Sequence, residues 1–260
     1  MQAPIGIFDS GLGGLTVLKA ARQRLPAEDF LYFADTRFLP YGERDEVFLR
    51  ERGRHVAEIL FEKGCKALVI ACNTATAAAA EAIRSAVEIP VVALEPAVKP
   101  AAALTRVGVL AVLATTRTLA SPRFARLIEQ HGQGVRVLAQ PCPGLAEAIE
   151  ENGPQSDRVG ELLDRYVTPV ANSGADVVVL GCTHYPWVAT QIAQRLSSQT
   201  HLVDTGDAVA RQLERVLLAA GIQGGGQGRL VLASSGAPAE VNEKTARLWG
   251  ERLSVQHWDF

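Results

Sequence analysis

The chain has 260 residues, enough for one large core or two smaller ones, and its pattern favours two. Nearly half of it is apolar and about a fifth is charged, no apolar run approaches a membrane span, and no basic stretch precedes the first one, so a soluble, cytoplasmic protein is expected. A formal net charge of -2 lacks the basic excess of a nucleic-acid binder, so neither nucleic acid nor a membrane is expected as a partner, and Cys65, Cys72, Cys142 and Cys182 are expected to be free thiols.

In chain order, IGIFD opens a series of short apolar runs continued by FLYFAD, ALVIAC and VVAL, with amphipathic stretches such as EVFLRERGRHVAEILFEKG between them. Alternation of this kind is the signature of βαβ units. After VVALEPAVKP the series restarts with VGVLAVLAT, VRVLAQ, VVVLGC and HLVDT, at offsets close to those of the first set. An internal duplication is expected: an α/β protein of two similar doubly wound domains, their mostly parallel sheets facing each other across a cleft. The first switch between halves falls near Glu95 to Lys99 and the second near Thr205 to Asp207. That division gives residues 1–97 plus 207–260 as one domain and 98–206 as the other. The tail, with DAVARQLERVLLAAG, a GGGQG turn or mobile loop and RLVLAS, is expected to pack back on the first half.

Two cysteines occupy matching places in the two copies, Cys72 at the end of ALVIAC and Cys182 at the end of VVVLGC. Ligands of open α/β sheets bind at the C-terminal ends of strands. Either thiol alone reads as a small core residue; the duplication makes the pair a candidate for one sulfur on each side of a shared site. Polar residues follow each of them, in CNTATA and in CTHYP, whose His184 could tune a thiol or donate a proton. Cys65 and Cys142 lack such neighbours and are read as structural. A zinc site is set aside, because there is no CxxC pair and two further ligands would be needed. In DSGLGG, Gly11 and Gly13 begin a dinucleotide fingerprint, but Thr16 stands where the third glycine belongs. What remains there is Asp9 and Ser10 at a strand end, either capping a helix or facing an anion, with glycines that allow a sharp turn. PYG at Pro40 to Gly42 is a binding loop by position.

These motifs, GIFDSGLGGLTV, YFADT with PYG, ACNTATA, LEPAVKPA, ATTRTLAS, PCPGLAEAIE, LGCTHYP and VDTGDAVA, run nearly end to end. Through them the chain resembles the glutamate racemase family of the cofactor-independent aspartate/glutamate racemase superfamily. The resemblance implies interconversion of L- and D-glutamate for peptidoglycan, with no cofactor and one catalytic cysteine from each of two facing domains. Carried onto this chain, the thiols are Cys72 and Cys182, assisted by Asp9 on one side and by His184 with Glu150 on the other. Glu151 and Glu147 are the alternatives to Glu150, because EENG carries one residue more than the family pattern. Substrate contacts are implied for Asp9, Ser10, Tyr41, Gly42, Asn73, Thr74, Thr118, Thr183 and His184. Two rival readings are a racemase for aspartate or another small amino acid, and a non-catalytic protein that binds a small acidic ligand or a protein such as a topoisomerase. A homodimer is the expected assembly.

Overall fold

The computed structural model describes residues 3–260. Its first half contains β1 (Ile5–Asp9), α1 (Leu15–Arg24), β2 (Phe30–Ala34), α2 (Glu46–Glu62), β3 (Ala67–Ile70), α3 (Asn73–Ala86) and β4 (Val91–Ala93). The second contains α4 (Val98–Leu104), β5 (Val109–Ala114), α5 (Thr116–Ala120), α6 (Pro122–His131), β6 (Arg136–Pro141), α7 (Leu145–Asn152), α8 (Asp157–Ala171), β7 (Val177–Leu180), α9 (Ala189–Gln194) and β8 (His201–Val203). The tail adds α10 (Gly206–Ala219), β9 (Leu230–Ser234), α11 (Pro238–Trp249) and β10 (Val255–His257).

Strand order is β10-β9-β2-β1-β3-β4 in one sheet and β6-β5-β7-β8 in the other. The segment β2-β1-β3-β4 therefore repeats the order β6-β5-β7-β8, as a duplication requires. Every strand pair among the described residues is parallel, so the sheets are wholly rather than mostly parallel. Both faces of a parallel sheet are covered by helices, which is why β1, β2, β3 and β7 are buried at every residue and read as unbroken apolar runs. The tail joins the first sheet at β2, as expected; β10, which the sequence pattern did not mark, adds one further strand. Helix α4 packs on β5, β7 and α6, whereas α10 packs on α1 and β4.

Alternate residues of the first sheet feed two cores. Phe8, Leu31, Phe33, Leu68 and Ile70 face α2 and α3, where Gly53 lets the alanine-rich α3 come close at Ala79. Ile5, Ile7, Tyr32 and Val69 face the other way, into a cluster continuous with Leu113, Leu145, Ile149, Leu180 and Tyr185 of the second half. One apolar core thus spans the seam and fixes how the two sheets meet. The GGGQG segment is tied down: Glu28 accepts from the Gly224 N–H, and Asp29 accepts from the N–H groups of Gln227 and Arg229 at 2.9 Å each. No helix among the described residues is long and apolar enough to cross a membrane.

Candidate active site

The registers align the two copies residue by residue. Phe8 pairs with Ile70 and Leu113 with Leu180, so Cys72 and Cys182 each lie two residues beyond equivalent strand positions, and Ser10 corresponds to Thr115. The C-terminal strand ends of both sheets open on one cleft, enclosing about 370 Å³ of non-atom space, part of it open to solvent. Its walls carry Cys72, Asn73, Thr74, Ser10, Tyr41 and Gly42 from the first half and Thr115, Glu147, Cys182, Thr183 and His184 from the second.

Each thiol has its own buried chain of partners. Cys72 is the N-cap of α3, its sulfur accepting from the Ala75 N–H at 3.4 Å. It donates to Ser10 Oγ at 3.6 Å, and Ser10 Oγ in turn donates to Asp9 Oδ1 at 3.4 Å. Burial pushes the Cys72 thiol up, the charge of Asp9 adds to this, and the Ala75 and Ser10 contacts only partly oppose it. On the other side, Cys182 Sγ lies 3.9 Å from His184 Nδ1, and His184 Nε2 lies 2.6 Å from Glu150 Oε2. Burial works against the imidazolium, but the hydrogen bonds and charges of Cys182 and Glu150 outweigh it and hold His184 well above its usual value. One side keeps a proton on sulfur and the other keeps it on imidazole.

Asp9 also reaches the second half, through Thr183. Its Oδ2 accepts from the Gly14 N–H and, at 3.3 Å, from the Thr183 hydroxyl, and its Oδ1 accepts from the Ser10 N–H at 2.8 Å. Burial raises its carboxyl to about 6, with the charge of Glu150 adding to the rise and His184 and the two N–H groups opposing it. Activity is therefore expected to fall below about pH 6 as Asp9 takes up a proton. Asp9→Asn should remove that acid limb from the profile of kcat/KM and lower kcat at pH 8 by about tenfold or more. An unchanged acid limb in Asp9→Asn would take Asp9 out of the proton pathway.

The glycines of DSGLGG serve proximity rather than turning, since none of Gly11, Gly13 and Gly14 has positive φ. A Cβ on Gly11 would enter the Glu150 carboxylate, and one on Gly13 would enter the His184 ring and the Thr183 hydroxyl. The loop is where the second half's His184–Glu150 pair rests against the first, with the Leu12 N–H donating to Glu150 Oε2 at 2.7 Å. Gly13→Ala is expected to displace His184 and cut kcat/KM by about 100-fold, measured beside a thermal melt.

Ser10, Tyr41, Gly42, Cys72, Asn73, Thr74, Cys182, Thr183 and His184 all line the cleft. Asp9 and Glu150 are buried behind that wall, so the direct substrate contact expected of Asp9 is not matched by its position. Thr118 is likewise one layer back, hydrogen-bonded to Thr74 at 3.3 Å and to Thr115 at 2.9 Å. The three glutamates separate by position: Glu150 bonds His184, Glu151 bonds Lys244 at 2.6 Å, and Glu147 lines the cleft. Thr115 was not singled out by its sequence; its equivalence to Ser10 in the duplication was the available signal. Both amide atoms of Asn73 are buried without a partner, leaving Nδ2 free to donate to a bound carboxylate and Oδ1 free to accept from a bound ammonium. Among the described residues no group of three or more His, Cys, Asp or Glu side chains is placed to hold a metal ion.

Comparison with known proteins bears on this cleft. The Asp/Glu/hydantoin racemase family model matches residues 16–213. A glutamate racemase of Pseudomonas paraeruginosa is 48% identical over 260 residues, covering 99% of this chain and 98% of the relative, and one of Ralstonia pickettii is 46% identical, covering 99% and 92%. Among solved structures, a glutamate racemase isoform from Bacillus anthracis superposes with a TM-score of 0.90 at 28% identity, covering 99% of this chain and 98% of that one. The Francisella tularensis glutamate racemase, solved in complex with D-glutamate, gives 0.86 at 26% identity over 100% and 97%.

Proposed function

We infer the chemistry of this chain from its family: it belongs to the Asp/Glu/hydantoin racemases, and it interconverts L- and D-glutamate. Inverting the α-carbon needs a base on one face of a planar carbanion and an acid on the other. The observation that carries a two-thiol mechanism is that Cys72 and Cys182 line one cleft from equivalent strand ends of two sheets, each backed by its own proton-holding partners.

In the resting enzyme Cys72 is the proton donor, because burial and Asp9 hold it as a thiol. Cys182, facing the His184 imidazolium, is the base; after one turnover the roles are exchanged and the enzyme is set for the other enantiomer. Ser10 and Asp9 on one side, and His184 and Glu150 on the other, return the protons to the starting arrangement. The α-proton is a very weak acid, so the developing enolate-like charge needs donors already aimed at it. Asn73, with its unpartnered Nδ2, supplies these together with Thr74 and the N-terminal N–H groups of α3. Glutamate rather than aspartate is the expected substrate because the near-full-length relatives are glutamate racemases.

We also propose that the enzyme works in the cytoplasm as a homodimer and supplies D-glutamate for peptidoglycan. The deciding assay follows circular dichroism of L-glutamate, with L-aspartate in parallel, on purified protein in EDTA. Decay of the glutamate signal alone is expected. Decay with aspartate alone would move the substrate, and silence in both would leave a binding protein.

A further inference from the structure

The cleft wall formed by Leu39 to Gly42 is held from behind by a buried charged chain that the proton transfers do not use. Tyr41 is 1% exposed, and its hydroxyl donates to Asp35 Oδ2 at 2.5 Å. Asp35 is wholly buried and is gripped by Arg52 of α2 through two hydrogen bonds, Nε to Oδ2 at 2.8 Å and Nη2 to Oδ1 at 2.7 Å. A paired fork of this kind fixes direction as well as distance. The same guanidinium is itself clasped. Its Nη1 donates to the Phe260 carbonyl at 2.7 Å, and its Cζ lies 4.4 Å from the Phe38 ring centroid and 5.0 Å from that of Phe260. Phe260 in turn stacks on Phe33 of β2 at 5.0 Å, beside Trp258, which stacks on the same ring at 5.9 Å.

We propose that Arg52 is a positioning residue for the racemase: through Asp35 it sets Tyr41, and with it the Leu39–Gly42 wall of the cleft, while the Trp258–Phe260 segment locks Arg52 in place. This rests on the reading of the cleft as the glutamate site. The physical case is economy of alternatives. An apolar cluster would bury Tyr41 equally well, and replacing buried ion pairs by apolar residues is often neutral for stability. A bidentate pair aimed at one hydroxyl of a wall residue instead specifies where that wall stands. None of these groups belongs to the hydrogen-bonded chains behind Cys72 and Cys182, so the expected effect is on how substrate is held and not on how its proton moves.

The test compares kcat and KM for L-glutamate in the wild type, Tyr41→Phe, Arg52→Lys, the Tyr41→Phe/Arg52→Lys pair, and a chain shortened after His257. Tyr41→Phe leaves the Asp35–Arg52 pair intact, so it keeps the proposal testable should Arg52→Lys fail to fold. Each single change is expected to raise KM by about tenfold with kcat within about twofold. The double variant is expected to be no worse than the poorer single one, because both act through one chain. Lowered melting temperature with unchanged KM in Tyr41→Phe and in the shortened chain would reduce the network to a structural one and overturn the proposal. Absence of turnover in the wild type would instead sink the glutamate reading.

Discussion

Cys72→Ser and Cys182→Ser are each expected to abolish racemisation from both enantiomers, lowering kcat/KM by about 1,000-fold or more. A serine hydroxyl fills nearly the same space and keeps the hydrogen bond, but it neither forms an anion at neutral pH nor exchanges a proton as readily as a thiol. The size of the loss, not its symmetry, is the informative part. Enantiomers have equal free energies in water, so the two directions must retain equal kcat/KM whatever is done to the protein, even if one thiol were the base for only one of them. A variant with appreciable turnover would show that the remaining thiol, or water, can serve both faces. Parallel melts separate this from misfolding, because both sulfurs border the apolar clusters as well as the cleft.

The second large effect is expected on the side of Cys182. His184→Asn removes the proton held beside that sulfur and leaves Glu150 as a buried carboxylate supported by the Leu12 N–H alone; a fall in kcat/KM of about 100- to 1,000-fold is expected. Glu150→Gln is milder, about 10- to 100-fold, because the amide oxygen can still accept from Leu12. Its sign in pH is specific. Burial disfavours the imidazolium and Glu150 is among the groups that offset this, so removing the charge lowers the pH at which His184 loses its proton. The alkaline limb of kcat/KM therefore moves to lower pH in Glu150→Gln. A limb that stayed in place, or moved upward, would show that Glu150 does not hold the proton on His184.

Much of this was legible in the sequence because it depends on local pattern. Strand ends, alternation and the repeat of ALVIAC by VVVLGC placed both thiols and the matched element order of the two halves, and apolar runs survive unchanged in a parallel sheet that is buried on both faces. Three things were not legible, each for a physical reason. Thr115 contacts the cleft only because the duplication sets it opposite Ser10, and TTRT offers three threonines with nothing local to choose between them. The roles of Glu147, Glu150 and Glu151 depend on which way each faces from one helix, and only the packing of α7 against DSGLGG and α11 decides that. The glycines of DSGLGG look like turn residues in sequence, yet their backbone angles are ordinary. What requires them is the approach of His184 and Glu150 from a segment more than a hundred residues away, which no local pattern records. The Asp35–Arg52–Phe260 chain is hidden for the same reason, being assembled from three distant segments.

The central claim, that two thiols act on opposite faces, is tested most directly by running the reaction on L-glutamate in D2O and stopping it within the first few percent of conversion. Mass spectrometry of the separated enantiomers is expected to show one deuterium at the α-carbon of essentially every D-glutamate molecule and none in the remaining L-glutamate, because the thiol that delivers the proton to one face exchanges with solvent while the one that removes it acts on the other. D-glutamate that retained the original proton, or early label in the L-glutamate pool, would mean that one group serves both faces and would contradict the two-thiol account.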